Sequence, residues 1–250
     1  MIRRKKEPAL ANKTAEEWRA ELEEGLKRIR SRGLSTTPQT LPEIDFELER
    51  QRLNGAFAKV EPRFDPSGVD KNVVDSLFAW IWRKDEFNKL NLDYDKGLFL
   101  YGPIGLGKSL TMLALRQYMN WVKAHYEQKR DDYRLCAWMK SASELANIYA
   151  VDGQPALLSY AAADVNLVID EFGREPCPAK YFGTEMNVLQ FLLQLRYDHR
   201  RSSITHVTTN MKLEDIAPIY GAYVADRCIE MFNFIEYKGK SFRKHFSRLS

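Results

Sequence analysis

The sequence predicts an α/β protein: a parallel sheet flanked by helices, preceded by a short helical extension. Three observations predict it. From about residue 68, apolar stretches with helical spacing alternate with short apolar runs bounded by turn residues, which is the pattern of strands buried on both faces and joined by helices. A glycine-rich loop stands directly between one such run and an apolar helix. Ahead of both, a capped amphipathic segment ends in a linker containing two prolines.

The extension opens at Thr14-Ala15-Glu16-Glu17, a capping box in which the Thr14 hydroxyl accepts from first-turn amides while Glu17 reaches back. Trp18, Leu22, Leu26 and Ile29 then share one apolar stripe, and Gly33 stops the helix. Residues 35–42 are rich in Pro, Ser and Thr and sustain neither helical nor strand periodicity, so they form a linker. A single helix has no core of its own. Its stripe packs either on the main domain or on a partner protein, and both readings stay open. Residues 1–60 are therefore taken as a helical extension and linker with a partner-binding role, and 61–250 as the main domain.

Within that domain, Val73, Val74, Leu77, Phe78, Trp80, Ile81 and Trp82 predict a strongly apolar helix. Leu98 to Tyr101 is a short buried strand, followed by a helix over Leu110 to Val122. Tyr133 to Met139 predicts a second strand, and Ala142 to Tyr149 a helix. Val165 to Ile169 predicts a third strand, Val188 to Tyr197 a helix and Ile204 to Thr208 a fourth strand. No internal repeat is visible.

Composition excludes several classes of function. No run approaches the roughly 18 apolar residues of a membrane span, and the basic start Met1 to Lys6 is not followed by the apolar stretch of a signal peptide. Cys136, Cys177 and Cys228 lie far apart, and His125, His199, His206 and His245 have no metal-ligand spacing, so neither a disulfide framework nor a zinc site is expected. A cytoplasmic location fits best. The formal charge of +4 is small, but it is unevenly spread. Residues 1–35 hold ten Lys/Arg against six Glu, and 238–250 hold five Lys/Arg and no acid. Such ends suit a polyanion such as nucleic acid, or are simply solvated.

Gly102-Pro103-Ile104-Gly105-Leu106-Gly107-Lys108-Ser109 satisfies G-x-x-x-x-G-K-[ST], after a strand and before a helix. In that context the glycines let the backbone wrap phosphate oxygens, and the helix N-terminus supplies oriented N–H groups and positive potential. Lys108 would meet the β- and γ-phosphates of ATP, and Ser109 would ligate Mg²⁺. A P-loop also needs a metal-holding acid at a neighbouring strand tip. Leu167-Val168-Ile169-Asp170-Glu171 supplies Asp170 for the Mg²⁺ shell, and Glu171 as the base that polarises an attacking water. The next strand ends Thr208-Thr209-Asn210. Asn210 either bonds the γ-phosphate and lytic water or caps the helix expected near Leu213.

Taken in order, these parts resemble the DnaC/IstB class of AAA+ ATPases, which comprises helicase loaders and transposition helpers. The resemblance also draws on Ala225-Asp226-Arg227-Cys228-Ile229 and on Gly239-Lys240-Ser241-Phe242-Arg243, and covers about residues 63–245. It implies an AAA+ domain with a truncated lid, since only about 40 residues follow Asn210. It also implies that Asn210 is a sensor, that Arg227 is an arginine finger acting on ATP of a neighbouring subunit, and that Arg243 is a second, sensor-like arginine. A guanidinium delivered to the γ-phosphate can be worth about 10³- to 10⁵-fold in rate. Without the resemblance, Arg227 reads as an ion-pair partner of Asp226, and Arg243 as a solvated tail residue.

The implied function is an oligomeric ATPase that loads a replicative DNA helicase onto single-stranded DNA. An alternative is a helper of a transposase on duplex DNA, and the ATP-site residues do not separate the two. A small-molecule kinase is disfavoured by the lack of an arginine-rich lid between Gly173 and Asn210. A silent nucleotide switch is disfavoured because Lys108, Asp170 and Glu171 are all present. One departure from the class is the stretch Gly173 to Met186, which has only Arg174 and Lys180 as cations, with Tyr181 and Phe182 available for base stacking.

Overall fold

Side-chain alternation along Leu98-Phe99-Leu100 divides the interior in two. Leu98 and Leu100 belong to one buried cluster and Phe99 to another, as a strand covered on both faces requires. The computed structural model describes residues 43–64, 68–126, 137–162, 166–200 and 203–238. The chain divides into two units, Met1–Thr37 and Pro38–Ser250, and the described residues belong to the second. The helix expected from Thr14, the linker 35–42, and Arg243 with the basic tail lie outside the described residues.

The first described helix, α1 (Phe46–Val60), starts at Asp45, whose carboxylate accepts from the Leu48 amide at 3.1 Å. The sequence pattern predicts no element here, because the buried face holds a carboxylate: Glu49, Leu53, Ala56 and Phe57 line it. Leu53, Ala56 and Phe57 join the cluster that contains Leu98 and Leu100, so this segment shares the core of the second unit. Helix α2 (Lys71–Trp82) follows, capped by Asp70 on the Asn72 amide at 2.8 Å and closed by Arg83 in the left-handed conformation. Strand β1 (Gly97–Tyr101) leads to α3 (Lys108–Tyr126). Glu49 ties α1 to α3 by accepting from the hydroxyls of Tyr118 at 2.8 Å and Tyr126 at 3.1 Å.

Next come β2 (Ala137–Ser141) and α4 (Ala142–Asp152), which begins with a complete Ser141/Glu144 capping box. They are followed by α5 (Gln154–Ala161) and β3 (Asn166–Phe172). A small hairpin of β4 (Ala179–Tyr181) and β5 (Thr184–Met186) precedes α6 (Val188–Asp198). Strand β6 (Thr205–Thr209), the short helix α7 (Ile216–Tyr220), α8 (Ala222–Met231) and β7 (Phe232–Glu236) complete the described chain. The five-stranded sheet runs β2-β3-β6-β1-β7, and every pairing in it is parallel. Helices α1, α2 and α3 pack on one face and α4 to α8 on the other.

Each strand predicted from sequence has a counterpart among the described residues, while the expected strand residues 133–136 and 165 lie outside them. β6 runs one residue further than expected, to Thr209. Strand β7 was not anticipated, because α8 runs into it with no breaker and its Asn233 interrupts the apolar pattern. Buried Asn233 is satisfied by the segment before β1: its Oδ1 accepts from the Asp93 amide at 2.8 Å and its Nδ2 donates to the Asp93 carbonyl at 2.8 Å. The helix expected near Leu213 is a 3-10 turn, Leu213–Asp215, that passes directly into α7. Among the described residues, no helix is long and apolar enough to cross a membrane.

Candidate functional site

The sheet order decides which side chains meet. β6 lies between β1, which feeds the glycine-rich loop, and β3, which carries the acids. Ligands of parallel α/β sheets bind beyond the carboxyl ends of the strands, and the loop, the acids and Asn210 all lie at those ends.

The loop between Tyr101 and Lys108 depends on its glycines. Gly102 has φ +136, and a Cβ there would come within 2.4 Å of the Tyr237 carbonyl oxygen. Gly105 and Gly107 also have positive φ, 86° and 81°. A side chain at any of these positions would strain the turn. α3 starts at Lys108, so its first-turn amides, which have no carbonyl to meet within the helix, face the loop. The Lys108 ammonium is folded onto the loop and donates to the carbonyls of Gly102 at 2.8 Å and Pro103 at 2.7 Å.

Two strand tips and the loop then converge. The Ser109 hydroxyl donates to Asp170 Oδ1 at 2.7 Å, although the two are 61 residues apart. Thr208 Oγ1 donates to the same Asp170 oxygen and accepts from the Glu171 amide at 3.1 Å. One hydroxyl thus holds the Asp170 carboxylate and the Glu171 backbone. Glu171 itself is unusual: its φ is +55, and the β3–β6 register slips between Ile169 and Phe172. Such a bulge re-aims a side chain at a strand end. Its carboxylate is engaged by Arg174, whose Nη1 donates to Glu171 Oε1 at 2.6 Å. Asn210 follows β6, and the next turn has its N-cap position at Lys212, so Asn210 does not cap it.

Ile104, Gly105, Gly107, Lys108, Ser109, Leu110, Glu171, Arg174, Thr208, Thr209 and Asn210 line one cleft, together with Glu61 and Phe64 from the segment after α1. The sequence-predicted Gly102, Pro103 and Leu106 complete the loop beneath it. Arg227 is not brought there. It lies on α8, where Nη1 donates to the Tyr197 hydroxyl at 2.6 Å and pairs with Glu230 at 3.4 Å, so its acidic partner is Glu230 and not the adjacent Asp226. Thr208, Arg174, Glu61 and Phe64 join the site without being marked by any sequence motif. For Thr208 a signal existed: strand alternation puts it on the same face as Asn210, one strand from the acids.

The donor set fits a magnesium nucleotide. Mg²⁺ takes oxygen ligands at about 2.0–2.1 Å in an octahedron, which separates neighbouring ligands by about 2.9 Å. Ser109 Oγ and Asp170 Oδ1 stand at nearly that separation. Among the described residues, no cluster of three or more His, Cys, Asp or Glu side chains could hold a metal by itself.

No family model and no curated protein matches the chain. Among solved structures it is similar to the DnaC helicase loader, with a TM-score of 0.44 and 19% identity over 66% of this chain and 88% of that one. It is also similar to a candidate primosome component from Streptococcus pyogenes serotype M3, with a TM-score of 0.47 and 17% identity over 79% and 99%. The third is DnaI, with a TM-score of 0.46 and 19% identity over 76% and 94%.

Proposed function

We propose that the chain is an Mg²⁺-dependent ATPase of the helicase-loader type, which assembles with copies of itself and places a replicative helicase on single-stranded DNA. The observation that supports it most is the bridge Ser109–Asp170–Thr208 beside the glycine-rich loop, because a hydroxyl and a carboxylate from distant segments share one point. The assembly and DNA steps rest on the order of sequence motifs.

The roles follow from chemistry. The loop amides and the α3 N-terminus bind phosphate oxygens. Lys108 would leave its two loop carbonyls for the β- and γ-phosphates, and Ser109 with Asp170 would hold Mg²⁺, which when bound would offset phosphate charge. Thr208 fixes the Asp170 carboxylate and the backbone of Glu171. Glu171 accepts a proton from the attacking water once its carboxylate turns from Arg174, and Asn210 orients that water. Arg227 and Arg243 act on developing γ-phosphate charge, Arg227 from a neighbouring subunit.

Lys108→Ala is expected to abolish nucleotide binding in a fluorescent-ATP titration. Glu171→Gln is expected to keep binding and lose turnover, because only the proton acceptor is removed. Wild-type hydrolysis by Glu171→Gln would reject this assignment.

A further inference from the structure

Arg227 is held in a polar cage that the ATP cleft does not use. Its guanidinium lies 4.1 Å from the Tyr197 ring centre and 4.6 Å from that of Tyr223. The Arg200 guanidinium is also close, 3.8 Å from the Tyr197 ring. The Tyr197 hydroxyl accepts from Arg227 Nη1 at 2.6 Å and donates to Glu230 Oε2 at 2.8 Å. Glu230 also pairs with Arg200 at 3.3 Å and with Arg227 at 3.4 Å. The Tyr197 hydroxyl first, then the two guanidiniums, hold the Glu230 carboxyl below its ordinary range.

Two features argue that this cage aims a guanidinium as well as binding one. Tyr197 is 8% exposed while Arg227 remains 27% exposed, so the base is packed and the cation reaches the surface. Two guanidiniums also share one carboxylate, which leaves the cluster one positive charge in excess, available to an anion from outside. An arginine pre-oriented by a ring and a fixed acceptor loses less freedom when it meets its target.

We propose that Tyr197 and Glu230 are positioning residues that aim Arg227 at the triphosphate held by a second copy of this chain. The inference rests on the proposed trans action of Arg227 and extends it to the residues that make the action effective. Tyr197 supplies a stacking face and a hydroxyl acceptor, and Glu230 fixes that hydroxyl and pairs with both guanidiniums.

Tyr197→Phe keeps the ring and removes only the hydroxyl, so the fold and the variant's own ATP site should remain intact. Its ATP turnover should fall about tenfold with KM unchanged, since an interaction made only in the transition state is weakened. Glu230→Ala should behave alike. Mixing Tyr197→Phe with Lys108→Ala should recover turnover, as mixing Arg227→Ala with Lys108→Ala should. In each mixture one chain contributes an intact ATP site and the other an intact Arg227 cage. Wild-type turnover by Tyr197→Phe alone overturns the proposal. So does a Tyr197→Phe defect that stays unrescued while Arg227→Ala is rescued, because Tyr197 then acts within its own subunit. If Arg227→Ala is itself never rescued at concentrations where assembly is demonstrated, the trans reading fails first, and this inference falls with it.

Discussion

At the scale of single residues, the site turns on two side chains that no motif names. Thr208 spans both acids, donating to Asp170 and accepting from the Glu171 amide. Thr208→Val preserves shape and removes both bonds. Hydrogen bonds to charged groups are worth about 1.5–3 kcal/mol, so turnover is expected to fall by roughly ten- to a hundredfold with ATP affinity little changed, as steady-state kinetics and a binding titration will show. Arg174 has the opposite expected effect. Its pair with Glu171 is solvent-accessible, with side-chain exposures of 59% and 39%, and such pairs contribute about 0–1 kcal/mol to stability. Arg174→Ala should leave the melting temperature nearly unchanged while raising basal turnover by roughly threefold, the kinetic equivalent of a pair in this range. A drop in turnover would mean that Arg174 assists the reaction instead of competing for the base. These residues were only partly legible in the sequence. Lys108, Ser109, Asp170 and Glu171 declare themselves by fixed local spacing, whereas Arg174 matters because a bulge turns Glu171 toward it.

At the scale of elements, α1 is the informative case. Its inward face places Glu49, 1% exposed, against the Tyr118 and Tyr126 hydroxyls of α3, the helix whose first residue is Lys108. The Trp82 indole donates to that same Tyr118 hydroxyl at 2.8 Å, so α1, α2 and α3 share one buried polar network. Glu49→Ala leaves these donors without their acceptor and should destabilise the protein by about 2–4 kcal/mol. Leu53→Ala should cost a similar amount, about 2–5 kcal/mol, through the cavity it opens. Chemical denaturation measures both. A chain starting at residue 61 lacks α1 and is expected to aggregate, whereas one starting at residue 43 should fold and bind ATP. Equal stability of the two chains would show that α1 is dispensable to the body. The sequence hid this helix because a carboxylate at a core position breaks the apolar stripe, and only tertiary neighbours make that position acceptable.

At the scale of the whole molecule, charge separates the ends from the body. The excess of Lys and Arg sits in residues 1–35 and 238–250, and Phe182 stands 92% exposed at the hairpin tip. Binding to single-stranded DNA should therefore be mainly electrostatic, with a log–log salt slope of about −0.7 per phosphate neutralised. Removing residues 239–250 should flatten that slope in anisotropy titrations at two or more salt concentrations. Phe182→Ala should leave the slope intact while weakening binding by about 1–3 kcal/mol, the range for one stacked base. A preference for duplex would favour the transposition-helper alternative, and no binding even with ATP present would reject both DNA readings.

The sequence by itself determined the alternation of strands and helices, the phosphate loop and the acidic strand tip. Each is written in local spacing: apolar runs bounded by turns, glycines at positions of positive φ, and acids directly after four apolar residues. Tertiary structure alone decided what stands between them. Placing β6 between β1 and β3 brings Thr208 to the acids, and the packing of α6 against α8 puts Tyr197 under Arg227. Strand order and helix docking depend on contacts between residues far apart in the chain, and no local periodicity encodes them.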